Sequence, residues 1–176
     1  MSELKTNKVS PATGVDFTLG DSGDTFTLPS GATLTVSGTS TIASLGASTA
    51  SGTLSMADNI VSRPEIKDYA ETVNAIGSIG GGTQDIDLES GNVVTGTVDT
   101  STTTFTFSNP PASGKAGSFT LILTNGGSQT VNWPASVDWA GGTAPTLTTS
   151  GVDVLTFTTV DGGTIWYGFA AGMDMS

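Results

Sequence analysis

Apolar residues in the first fifty positions come in small pairs. Phe17 and Leu19 are followed by Phe26 and Leu28, then Leu34 and Val36, then Ile42 and Leu45, with a period of 8 to 9 residues. The spacers between them are Gly20-Asp21-Ser22-Gly23, Pro29-Ser30-Gly31 and Ser37-Gly38-Thr39. Alternation within each pair predicts a short strand, and each spacer predicts a turn. One or two apolar residues per repeat cannot cover themselves. Such units must stack on neighbours, including other copies of the chain. Phe17, Leu19, Phe26, Leu28, Leu34 and Val36 are therefore expected to be core or trimer contacts, in a β-repeat shaft over residues 15–57.

The pattern changes at Ser62. Ser62 and Glu65 are spaced as a capping box, and Pro64 falls in the first turn. Ile66, Tyr69, Ala70, Val73 and Ile76 then recur at helical spacing up to Gly77. This predicts a capped helix over 62–77, within a connecting segment 58–82 that ends in Gly80-Gly81-Gly82. Ile66, Tyr69, Val73 and Ile76 form the predicted apolar stripe. It would pack either on the chain's own sheet or against two other copies on a threefold axis.

From residue 83 the period returns to two. Candidate strands are 84–88, 92–98, 103–107, 118–123, 129–133, 146–148, 153–160 and 164–170. Asn125-Gly126-Gly127 and Asp161-Gly162-Gly163 read as hairpin turns. The expected fold is all-β: a short-strand shaft, one connecting helix, and a jelly-roll-like β-sandwich over 83–176.

Composition supports a turn-rich β protein, with 24 Gly and only 12% charged residues. The net charge is −11, and Lys5, Lys8, Arg63, Lys67 and Lys115 are the whole cationic complement. So few cations argue against nucleic-acid or anionic-membrane partners. Neither a leader-like apolar segment nor a membrane-spanning run is evident in the sequence. Lys5 and Lys8 lie in an otherwise uncommitted arm, residues 1–14, which is expected to order against a partner.

His and Cys are both absent. That removes the commonest general base, the commonest zinc ligand and any disulfide. Asp85, Asp87 and Glu89 share one strand face, an arrangement with oxygen chemistry for Ca²⁺. A solvated strand face is the simpler account of them and is preferred, so no metal site and no cofactor are assigned. Trp133 and Trp166 read as core or interface. Trp139, beside Gly141-Gly142, is the candidate for an exposed, sugar-stacking surface. No carboxylate pair or nucleophile stands out, so no enzyme activity is expected.

Several motifs occurring in order carry a resemblance. Ser2-Glu3-Leu4-Lys5, Asn7-Lys8-Val9-Ser10-Pro11 and Thr18 through Thr25 resemble the start of tailed-bacteriophage fibre and virion structural proteins. Lys67 through Thr72, Phe107-Ser108-Asn109-Pro110-Pro111, Asn132-Trp133-Pro134-Ala135 and Asp161 through Phe169 resemble a domain of phage tail fibres. The resemblance implies a virion component, usually a homotrimer, attached to other virion proteins through its N-terminal arm. This sequence lacks a large receptor-binding tip, which favours a short fibre, an adaptor, or a capsid decoration or head fibre. A host adhesin that binds surface glycan is the alternative.

Overall fold

The computed structural model describes residues 25, 27–33, 35 and 60–175. The chain divides into two units, Met1–Val61 and Ser62–Ser176.

In the first unit, the Pro29-Ser30-Gly31 spacer is a turn, as predicted. Ala32 N donates to Pro29 O at 3.0 Å, and Gly31 has a positive φ of 83°. Leu28 beside it is exposed. Phe17, Leu19, Phe26, Leu34, Val36, Lys5 and Lys8 lie outside the described residues, so the shaft and the arm remain expectations.

The second unit is built from nine strands: β1 Val73–Ile79, β2 Gly82–Asp87, β3 Val93–Val98, β4 Thr103–Ser108, β5 Gly117–Thr124, β6 Val131–Asn132, β7 Val137–Trp139, β8 Val152–Thr159 and β9 Trp166–Gly172. Helical geometry among the described residues is limited to short 3-10 turns. The described protein is thus mostly β.

The predicted helix over 62–77 does not form. Residues 62–72 hold no regular element, and β1 takes over at Val73. Arg63 and Asp68 adopt positive φ of 54° and 58°, and Gly77 adopts 80°, three interruptions that a helix does not accommodate. A helix of that length is marginal alone. Pairing with β3 instead gives the β1 backbone partners along one side and buries Ile79. The supposed stripe is dispersed: Ile66, Tyr69 and Val73 are exposed, at 65%, 68% and 55%, and Ile76 is half-buried against the core. The sheet-forming unit therefore begins well before residue 83.

Two sheets share one core. One has the order β1-β3-β5-β8-β9-β7, the other β2-β4-β6. The chain winds between them. β1, β3 and β5 lie parallel in the larger sheet, while β2, β4 and β6 lie parallel in the smaller. Each turn of this coil places one strand in each sheet. β8 then runs antiparallel to β5, β9 antiparallel to β8, and β7 pairs parallel with β9 at the far edge. A jelly roll pairs its strands antiparallel, so the first six strands depart from that expectation.

The two hairpin signals diverge. Asp161-Gly162-Gly163 does join the antiparallel pair β8 and β9. Asn125-Gly126-Gly127 does not make a hairpin. Asn125 is left-handed (φ 55°), a 3-10 turn follows at Gly126–Ser128, and the chain crosses to the smaller sheet.

The core draws on both sheets. Ile79, Ile86, Val94, Val98, Phe105, Phe119, Leu121, Leu123, Leu155, Phe157 and Trp166 are all buried. Phe107 of β4 meets Phe119, Phe157 and Trp166 edge-on, with centroids 4.9 to 5.4 Å apart. Edge-to-face contact between rings adds to the burial of apolar area.

Candidate functional site

The outer face of the smaller sheet carries the carboxylates. Asp85 accepts from Thr106 Oγ1 at 2.6 Å and from Ser108 Oγ at 2.5 Å, both on neighbouring β4. Asp87 accepts from Glu89 N at 2.9 Å and from Asn109 Nδ2 at 2.8 Å. The Asn109 bond, then the Glu89 amide, hold the Asp87 carboxyl below its ordinary value. Glu89 has left the strand for the 3-10 turn Leu88–Ser90, so the three acidic residues do not line one strand face. Among the described residues no group of three or more His, Cys, Asp or Glu is arranged to hold a metal ion. Asp85 and Asp87 act as acceptors that fasten β2 to β4 and to the turn after it.

Two other aspartates fix turns. Asp161 in the β8–β9 hairpin accepts from Ile165 N at 3.1 Å and Thr159 Oγ1 at 2.9 Å. The Ile165 amide is the main cause that holds the Asp161 carboxyl below its ordinary value. Asp99 accepts from Ser78 Oγ at 2.6 Å and is lowered chiefly by that bond. Asp153 is fully buried. It accepts from Thr148 N and Thr148 Oγ1, both at 2.7 Å, and from Asp174 N at 3.1 Å. One carboxylate thus ties the 146–149 loop and the C-terminal segment to β8, and residues 146–148 form no strand.

The tryptophans pack rather than project. Trp166 is buried. Trp133 stacks on Phe105 at 5.3 Å. Trp139 lies in the unpredicted strand β7, and its ring meets Trp133 and Phe157. That ring also covers Gly168, where a Cβ would come within 2.8 Å of it. Trp139 is therefore half-buried against the core. An open groove of about 290 Å³ beside Trp133 is lined by Gln129, Val131, Pro145, Thr146 and Leu147, among others.

The surface that sequence reasoning missed is the outer face of the larger sheet. One row crosses five strands: Val73, Val93, Thr120, Thr156 and Phe169. An adjacent row runs Ala75, Thr95, Ile122 and Val154, and on the other side Ser118, Thr158 and Tyr167 align. Apart from the inward-facing, buried Asp153, β1, β3, β5, β8 and β9 contain no charged residue. Phe169 and Tyr167 are 52% and 43% exposed. Glu71 lines a depression of about 160 Å³ with Ser118, Thr120 and Thr156, so a carboxylate borders the middle of this face. The charge-free strands were visible in the sequence. Which of their residues shared an outer row depended on pairings that the sequence does not display.

Compared with family models, curated proteins and solved structures, the chain matches none.

Proposed function

We propose that this chain is a structural component of a tailed-bacteriophage virion, a homotrimeric short fibre or adaptor. In this reading the N-terminal arm with Lys5 and Lys8 joins other virion proteins, and the β unit, read as a two-sheet sandwich, points outward. Capsid decoration or head fibre is the same role at another place on the particle. The protein would be assembled in the host cytoplasm and carried outside the cell in the particle.

One observation carries most of the weight. The residues leading into the coil leave Ile66, Tyr69 and Val73 open to solvent in the single chain. β1 and β2, its first turn, are both sheet edges. Large apolar side chains beside free edges favour further protein contacts. The ordered motifs of the sequence point to the same class. No catalytic role belongs to this reading, since Asp85, Asp87, Asp99 and Asp161 each serve a local hydrogen-bond network. The alternative, a glycan-binding adhesin, draws its support from the groove beside Trp133, whose Gln129 and Thr146 supply polar groups at an aromatic wall.

Sedimentation equilibrium of the full chain tests the assembly: a trimer has three times the 17.6 kDa subunit mass. Microscopy of particles bearing a labelled copy tests the location. A compact monomer at micromolar concentration, or particles that lack the protein, would overturn the reading.

A further inference from the structure

We propose that the groove beside Trp133 binds a neutral sugar ring, one pyranose of an uncharged glycan. The inference rests on the glycan-binding reading above and deepens it by naming the ligand's chemistry and the residues that meet it.

The groove is held in shape before any ligand arrives. Part of its lining is Val131 and Trp133. Val131 lies in register with Thr103 where β6 pairs with β4, and Trp133 stacks on Phe105. Most of the rest comes from the Gly126-Gly127 turn and the 144–149 loop. Buried Asp153 accepts from Thr148 N and Thr148 Oγ1, and Gly127 N donates to Thr148 O at 2.9 Å. Gly127 carries no Cβ, so Leu147 O can lie directly against the turn. A site fixed in this way loses little affinity to ordering itself.

Charge selects the occupant. Among the described residues that line the groove, none is charged. The chain's net charge is −11, so a phosphate, a sulfate or an acidic sugar would meet repulsion and no countercharge. A basic ligand would equally find no carboxylate in the lining. Polar groups exclude a purely apolar occupant. Gln129, Thr146 and Thr149 stand exposed beside half-buried Trp133, Pro145 and Leu147. Under an apolar ligand their amide and hydroxyls would lose water without replacement. A pyranose supplies both complements: C–H groups that pack on an indole, and hydroxyls that donate and accept. The volume, about 290 Å³, lies near the lower limit of roughly 300 Å³ for small-molecule sites, which suits a single ring.

Methyl glycosides of glucose, galactose, mannose and N-acetylglucosamine, with glucuronic and N-acetylneuraminic acids as charged counterparts, test this by NMR titration of the isotope-labelled full chain. The neutral set should shift the Gln129 side-chain amide and the backbone amides of Thr146, Leu147 and Thr149, equally at low and high salt. Gln129→Ala should weaken the best neutral ligand about fivefold or more. Thr83→Ala, on β2, should bind like the parent. Shift mapping in the parent decides the matter even if Gln129→Ala fails to fold. Binding of the acidic sugars alone, shifts away from the groove, or unchanged affinity in a folded Gln129→Ala would overturn this inference and leave glycan binding standing. No binding by either set at millimolar concentration would overturn the inference and the glycan-binding reading together.

Discussion

Phe157 sits where the aromatic core is densest. Its ring meets those of Phe107, Phe119, Trp133 and Trp139 at 4.8 to 5.5 Å. Phe157→Ala should therefore cost about 3–5 kcal/mol, because a cavity among rigid rings collapses poorly. Urea denaturation should show a lower midpoint at an unchanged slope. A different constraint acts at Gly127. A Cβ there would lie 2.1 Å from Leu147 O, a backbone atom that cannot swing aside. Gly127→Ala is expected to destabilise by at least about 2 kcal/mol, since the crossing to the smaller sheet would have to move. A variant that melts with the parent would show that this crossing is loosely held.

At the scale of elements, β1 decides between two periods written over the same residues. Helical spacing put Val73 on a buried stripe, whereas the strand leaves Val73 exposed and, past the register shift between Ala75 and Gly77, turns Ile79 into the core. The two periods predict opposite outcomes in dilute monomer. Ile79→Asp should be destabilising by several kcal/mol, as an unpaired buried charge is. Val73→Asp should change the melting temperature little. The reverse order would reinstate the helix.

The same stretch shows what was legible. Alternation in Phe119-Leu121-Leu123 and Leu155-Phe157 located β5 and β8 well, because each buries one face. The Asp161 turn located its hairpin because the pairing is local. Parallel pairing was not legible: Val73 meets Val93 and Val93 meets Thr120 across a full turn of the coil. No turn residue encodes a partner that distant. β7 hid in a loop because its three residues hold their place through β9 and through Trp139 on Gly168. Neither contact has a local sequence signature.

For the whole molecule, acidity is a sensitive variable. Asp87, Asp99 and Asp161 are all held below the ordinary value of 3.8 in the folded state, each by hydrogen bonds to its charged form. The unfolded chain therefore binds more protons than the folded one as pH falls past that value, and stability rises with pH in that window. The contribution is complete above the unfolded value and is lost as pH drops through the lower folded values. Melting temperature should be nearly flat from neutral pH to about pH 5 and fall below about pH 4. Replacing Asp87, Asp99 and Asp161 together by Asn should flatten that acid limb. An equally steep fall in the triple variant would show that other carboxylates carry it.

Division of labour along the chain gives the last expectation. Among the described residues, every buried core residue, from Ile79 to Trp166, belongs to the second unit. Among the described residues no buried side-chain polar atom lacks a partner, and Asp153 closes the C-terminal end by holding Asp174 N. A fragment spanning residues 62–176 should therefore fold without the first unit and melt cooperatively. On the proposed attachment through Lys5 and Lys8, deleting residues 1–14 should instead leave a full-strength oligomer that no longer joins particles. Sedimentation of both truncations, with particle incorporation scored for the second, separates the two roles. A 62–176 fragment that fails to fold would show that the core depends on the first unit, and normal incorporation without residues 1–14 would place the attachment elsewhere.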